Sequence, residues 1–337
     1  MKSLRLYGPG DIRIVDEPLP TPGPGEELVR VTAVGICGSD LHWYSESGIG
    51  DVALSRPTVL GHEAAGVIEA GPRAGLRVAI DPAIPCEKCE QCRAGHAHFC
   101  LALRFAGDGT TDGALREFVA WPSNSLIPVP DALGDADVAM LEPLGVALHA
   151  VRLGGIRPGE RVGVFGCGPI GLLIIQLARA AGATTIVATD VLEHRLAAAR
   201  QAGATDATPV AGGSERTLLR ATTDGHGVDV AFEAAGVDDS VETAVALAAP
   251  GGTVVVVGIP SEDRTTFTAS TARRKGLTVK LSRRMNRVYP EAIRLVAAGL
   301  ADVRSVVTAS FPLAEHEAAF RTAAGRDGLK IVVRPKP

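Results

Sequence analysis

Four cysteines stand at Cys86, Cys89, Cys92 and Cys100, a CxxCxxC run with a fourth sulfur shortly after it. Four soft thiolates on one loop can wrap a tetrahedral ion and leave no open position, which describes a closed, structural Zn2+ site and not a catalytic one. Cysteines buried only for packing need no such compact spacing. His96 and His98 fall inside the last interval and read as exposed spacers. A second set is dispersed: Cys37 in GICGSD, His62 and Glu63 in LGHE, and Glu142 in LEPLG. Cysteine, histidine and carboxylate suit a zinc ion that keeps a vacancy. Spacing alone does not join these residues, and a lone cysteine of this kind is more often packing.

A third pattern carries different chemistry. Gly166, Gly168 and Gly171 form GxGxxG between a short apolar run and an apolar-periodic helix. The first glycine permits the tight turn, the second lets the backbone approach a pyrophosphate, and the third allows helix to pack closely on strand. Free N–H groups at the helix start then face the phosphates. Asp190 closes the next β-branched run, about 20 residues into the unit, where a carboxylate accepts hydrogen bonds from the adenosine ribose. It would repel a 2′-phosphate, so the expected cofactor is NAD and not NADP. A membrane span over 162–178 is rejected: it is shorter than the roughly 20 residues required, and glycines and Pro169 interrupt it.

The elements that must hold these groups change texture along the chain. Its 337 residues suggest two domains, and a 4% aromatic share leaves Val, Leu, Ile and Ala to fill the cores. A net charge of −4 gives no reason to expect nucleic acid or an anionic membrane as partner. The one dense basic group, Arg273, Arg274 and Lys275, reads as a solvated face. The first residues lack the apolar core of a signal peptide, and the cysteine cluster points to metal in a reducing compartment, so a soluble cytoplasmic protein is expected. Up to about residue 130, short β-branched runs at 27–34, 66–69, 76–80 and 117–121 predict a barrel-like β domain with long loops. From about 145, helices at 193–202, 215–222 and 240–248 alternate with strands at 228–233, 253–258 and 278–281. That alternation predicts a doubly wound parallel sheet. Past 283 come a helix at 289–298, a run at 303–307, a helix at 313–323 and a strand at 330–333. This tail is too short to stand alone and is expected to return to the first domain. The division expected is therefore 1–145, 146–283 and 284–337.

GICGSDLH, GHEAAGVI, the four-cysteine lobe, LEPLGVALHA, GCGPIG and VVVVGIP, in this order, resemble the zinc-dependent medium-chain dehydrogenases over essentially the whole chain. Within them the chain is most similar to the polyol branch, the sorbitol (L-iditol) and xylitol dehydrogenases, because Glu142 stands where the alcohol dehydrogenase branch has a cysteine. The implied fold is α/β: a GroES-like β-barrel catalytic domain and a Rossmann doubly wound parallel sheet that binds NAD. The resemblance implies a catalytic zinc on Cys37, His62 and Glu63, with Glu142 binding directly or through water. It implies Ser39 and His42 as a proton relay supported by Asp40, and Ile170, Asp190, Arg195, Val257, Gly258 and Ile259 as NAD contacts beside the three motif glycines. Ser282 and Arg283 would touch the nicotinamide side, and Arg284 would hold a polyhydroxylated substrate. Trp43 and Met285 stand where the polyol branch has tyrosines, and the resemblance implies Trp43 beside the substrate with Glu142 and Arg284.

The implied reaction is oxidation of a secondary alcohol to a ketone. A carbinol is a poor hydride donor until a cation acidifies it, as zinc takes bound water from about 15.7 to about 7. The implied partners are a small polyol or alcohol and further copies of the chain, as a tetramer or dimer. Two rival readings are a zinc-dependent alcohol or threonine dehydrogenase, and a non-catalytic NAD-binding redox sensor. The sensor reading fits poorly with Cys37, His62, Glu63, Glu142 and Ser39 all being present.

Overall fold

A computed structural model describes residues 1–260 and 262–336. The chain divides into two compact units, Met1–Pro143 with Val303–Pro337, and Leu144–Asp302. In the first, one long strand, Glu26–Gly35, is the hub. One edge of it pairs antiparallel with Glu63–Ile68; the other pairs with Phe118–Pro122 along its first half and with Lys330–Arg334 at its end. Val29, Val31, Val34, Trp121, Phe320, Ile331 and Val333 fill the core around it. Because the hub ends at Gly35, the register sets Glu63 and the last strand on either side of the same residue.

The second unit is a six-stranded parallel sheet. Its strands are β1 (Arg161–Phe165), β2 (Thr185–Asp190), β3 (Asp206–Pro209), β4 (Val228–Glu233), β5 (Ala248–Val256) and β6 (Thr278–Leu281), in spatial order 3-2-1-4-5-6. The order reverses between β1 and β4, the place where open α/β sheets hold ligands beyond the strand ends. Strand β3 is missing from the sequence expectation, since four residues ending in proline carry no readable period. At the far edge, β6 leaves Val279 and Leu281 exposed, and the helix before it, Ala269–Lys275, has no fully buried residue, with Ala272 partly buried against the core.

Three expectations need correction. The second boundary falls at 302/303 and not at 283/284. Lys280 donates to the Leu153 carbonyl, Arg152 pairs with Glu291, and the helix Tyr289–Ala297 buries Tyr289 and Ala292, so the stretch from 284 to 302 packs with the nucleotide unit. The run at 303–307 is not a strand throughout: a 3-10 turn, Arg304–Val306, precedes the strand Val307–Pro312, which runs parallel to Lys330–Arg334. Lys275 is not simply a solvated residue. Its Nζ donates to the carbonyls of Val245, Ala246 and Ala248 at 2.7–3.0 Å, where the helix Asp238–Leu247 ends.

Those carbonyls belong to a helix end that cannot satisfy them internally. Lys275→Met should therefore lower unfolding free energy by about 1 kcal/mol, the low end for lost hydrogen bonds because water can replace the ammonium. Urea denaturation of the full chain measures this; an unchanged midpoint would mean the contacts contribute nothing.

Candidate active site

The helix Gly38–Glu46 begins beside Cys37, whose N–H donates to Asp40 Oδ2 at 2.9 Å. Asp40 is fully buried, also accepts from Gly61 N at 3.1 Å, and lies 3.6 Å from His62 Nδ1. A carboxylate on one ring nitrogen fixes the tautomer and leaves the other for a metal. Ser39 Oγ lies 3.5 Å from His62 Nε2. Burial would lower the His62 pKa, but the charges of Asp40 and Cys37 outweigh it and hold it well above the ordinary value. These charges favour the protonated ring, and a metal bound there would take the proton's place.

Donor atoms of Cys37, His62 and Glu63 all lie within 4.8 Å of one another. Glu63 reaches this place through an opening at Gly35, where a Cβ would come within 2.0 Å of its carboxylate. Lys330 holds the same carboxylate, donating to both oxygens at 2.6 and 2.8 Å and to the Ile36 carbonyl at 3.0 Å. Both partners are almost completely buried. Sequence reading misses Lys330; the only signal is a lysine opening an apolar terminal strand. Glu142 stays outside the close triad but is buried within reach of the charges of His62, Glu63 and Lys330, and burial pushes its carboxyl up to about 7. Sulfur, imidazole and carboxylate, buried or half-buried and drawn from the segments at Cys37 and at His62–Glu63, with Glu142 nearby from a third, fit zinc.

Cys86, Cys89, Cys92 and Cys100 likewise converge within 4.8 Å. N–H groups aim at the sulfurs: Cys86 N lies 3.2 Å from Cys100 Sγ and Cys89 N 3.4 Å from Cys86 Sγ. The Cys92 and Leu101 N–H groups bring the Cys89 thiol down to about 6, in favour of the thiolate a metal requires. His96 is exposed as expected, whereas His98 is buried with its ring 3.9 Å from that of Phe99, which corrects its reading as a spacer. His42 is partly exposed one turn after Ser39, with Nδ1 3.4 Å from Glu46 Oε1. Trp43, expected beside substrate, is 4% exposed and packs in the apolar core.

In the other unit, Gly166 closes β1 at φ +103°, and a Cβ there would meet the Ala235 nitrogen at 2.7 Å. Gly168 caps the helix Pro169–Ala180, with Ile170 and Gly171 in its first turn. Asp190 ends β2 and accepts from Cys167 N at 2.8 Å and Leu192 N at 3.0 Å. Each oxygen keeps a lone pair for a ribose hydroxyl. Arg195 Nη1 lies 3.9 Å from Asp190. Val257 and Gly258 follow β5, Ile259 is half exposed, and Ser282 Oγ is buried with no hydrogen-bond partner among the described residues. The glycine turn, the carboxylate and that orphaned hydroxyl fit a dinucleotide. Arg283 is exposed, and Arg284 adopts left-handed backbone at φ 55°.

Comparison with known proteins bears on these two constellations. Residues 23–131 match the alcohol dehydrogenase GroES-like domain, and residues 169–298 match the zinc-binding dehydrogenase domain. Sorbitol dehydrogenase of Bacillus subtilis (strain 168) is 32% identical over 99% of this chain and 97% of its own. The chain belongs to the zinc-dependent medium-chain polyol dehydrogenases. A protein of Aspergillus terreus named "Probable D-xylulose reductase A" is 37% identical over 98% of this chain and 97% of its own. A zinc-binding dehydrogenase from Sinorhizobium meliloti 1021, solved bound to NADP, superposes with a TM-score of 0.89 at 33% identity, covering 99% of both chains. Among the described residues of this dehydrogenase no helix is long and apolar enough to cross a membrane.

The Glu63–Lys330 pair makes a prediction that does not depend on turnover. Removing one partner of a buried pair leaves the other charge uncompensated, typically at a cost of about 3–5 kcal/mol. Lys330→Met should therefore lower the melting temperature most in chelator-treated protein and less in zinc-loaded protein, where a dication can take over the carboxylate. Equal losses with and without zinc would show that Glu63 does not face the metal.

Proposed function

We propose that this dehydrogenase oxidises a secondary alcohol of a small polyol, of the sorbitol, xylitol or L-iditol type, to the ketose with NAD, and catalyses the reverse reduction. The convergence of the Cys37, His62 and Glu63 donors, with Glu142 buried beside them, carries the reading. Zinc on these donors would acidify the carbinol, and NAD would take the hydride as the C–H bond breaks and the carbonyl forms. Asp40 holds the His62 ring so that Nε2 faces the donors. Lys330 holds the Glu63 carboxylate in place by donating to both of its oxygens. Ser39 Oγ takes the carbinol proton as it gives up its own, and His42, one turn along the same helix face and partly exposed, is the exit group that releases a proton to water. Glu142 offers its carboxyl to the reacting hydroxyl, and Arg284 is assigned to the outer hydroxyls of the substrate.

Asp190 supports NAD over NADP, because a buried carboxylate at the ribose repels a 2′-phosphate. The Sinorhizobium relative of similar fold is bound to NADP, so the reading in favour of NAD rests on Asp190 and not on the fold. We also infer a cytoplasmic homo-oligomer, a dimer or tetramer. The outer edge of β6, which pairs with no further strand among the described residues and leaves Leu281 74% exposed, supports self-association, and six free cysteines suit a reducing compartment.

Purified protein assayed with NAD and NADP on xylitol, sorbitol, ethanol and threonine tests the reading: polyol turnover with NAD supports it, and activity confined to ethanol or threonine overturns it. Metal analysis should find two zinc ions per chain, and Cys37→Ser should lose one zinc and all turnover while still binding NADH. Asp190→Ala should shift the ratio of NAD to NADP efficiency towards NADP by about tenfold or more. A wild type already faster with NADP would contradict the role of Asp190.

A further inference from the structure

Glu233 ends β4 on the side of the sheet where the strand order reverses, paired with Phe165 at the end of β1. It is completely buried. Among the described residues, every donor that reaches its carboxylate is a backbone N–H or a hydroxyl. Oε1 accepts from Ala235 N and Gly236 N, both at 2.7 Å, and from Ser240 Oγ at 2.6 Å. Oε2 accepts from Gly258 N at 3.2 Å. A carboxylate placed in the interior without a cation is expensive unless fixed dipoles replace its water, so the arrangement calls for an explanation beyond packing.

The donors come from two loops. Residues 234–237 follow β4 and lie against the first motif glycine, Gly166. Residues 257–260 follow β5 and include Val257, Gly258 and Ile259. The Glu233 carbonyl also accepts from Val257 N at 2.8 Å and from Gly258 N at 3.2 Å. The loops meet so closely that a Cβ on Gly258 would fall 2.2 Å from Gly236 N and 2.7 Å from Glu233 Oε2. One buried anion thus ties the loop beside the pyrophosphate turn to the loop beyond β5, and its bonds set the backbone of that second loop.

We propose that Glu233 is a positioning residue for the nicotinamide half of the cofactor: by binding both loops it holds the 257–259 backbone in the shape that receives the nicotinamide. The inference rests on the reading of this unit as an NAD site. The adenosine half is served by other groups, Gly168 and Asp190 on the β1 and β2 side. A glutamine in place of Glu233 keeps the shape but puts an NH2 against N–H donors, so it should disturb the second loop and spare the first half.

The test uses the full chain and two ligands, NADH and ADP-ribose, which lacks the nicotinamide. Glu233→Gln should weaken NADH about tenfold, as expected for hydrogen bonds to a charged group, with loss of the shift in nicotinamide fluorescence on binding. ADP-ribose should bind as it does to the wild type. Ser240→Ala removes one donor to the same carboxylate and should act in the same direction more weakly, and it decides the matter if Glu233→Gln does not fold. Equal weakening of both ligands would reduce Glu233 to a general structural role, and unchanged NADH affinity would remove it from cofactor positioning; either overturns the proposal. A wild type that binds ADP-ribose but not NADH, or neither, would instead sink the NAD reading itself.

Discussion

Anions withdrawn from water, with too few basic groups to balance them, are the constraint on which this molecule depends. Asp40, Glu63 and Glu142 are almost wholly buried in one unit, beside Cys37 and His62, and among the described residues Lys330 is the one lysine buried with them. Isolated charges in such surroundings would cost several kcal/mol each. The chain lowers that cost in distinct ways: backbone N–H groups serve Asp40, an ammonium serves Glu63, and burial drives Glu142 towards its neutral form. What remains is a set of soft and hard donors suited to a dication with a vacancy.

The nucleotide unit meets the same problem without a metal. Asp190 and Glu233 both end parallel strands, both are buried, and both accept chiefly from N–H groups of their own following loop and of a neighbouring strand's loop. A carboxylate bound in this way does two things at once. It stiffens the loop that supplies the donors, and, where lone pairs remain, it presents a fixed negative charge to a ligand. Such fixed charges choose between cofactors that share a fold, since a ribose hydroxyl donates to them and a phosphate is repelled.

The β scaffold explains why the metal donors meet. A single strand, Glu26–Gly35, is paired on both edges, and its last residue is a glycine where the carboxylate of Glu63 needs space. The strand bearing Lys330 arrives on the other side of that glycine from the far end of the chain. Kinship with polyol dehydrogenases agrees with this arrangement. Trp43, where this chain departs from the polyol pattern, has its ring in the core.

The motifs were legible in the sequence wherever chemistry is written within a turn or two. The spacing of Cys86, Cys89, Cys92 and Cys100, the glycines of GCGPIG and the acid at the end of β2 constrain the backbone locally, and the neighbours they require lie within a few dozen residues. Periodicity likewise announced the alternating strands and helices of the second unit, though not β3, which is too short to show a period. Tertiary structure alone decided which distant strands became neighbours. It brought Lys330 to Glu63 across 267 positions, buried His98, turned Lys275 onto the end of another helix, and moved the unit boundary to 302/303. The reason is physical: local spacing sets dihedral angles and nearby contacts, whereas burial and charge pairing depend on register and packing between segments that no local pattern connects.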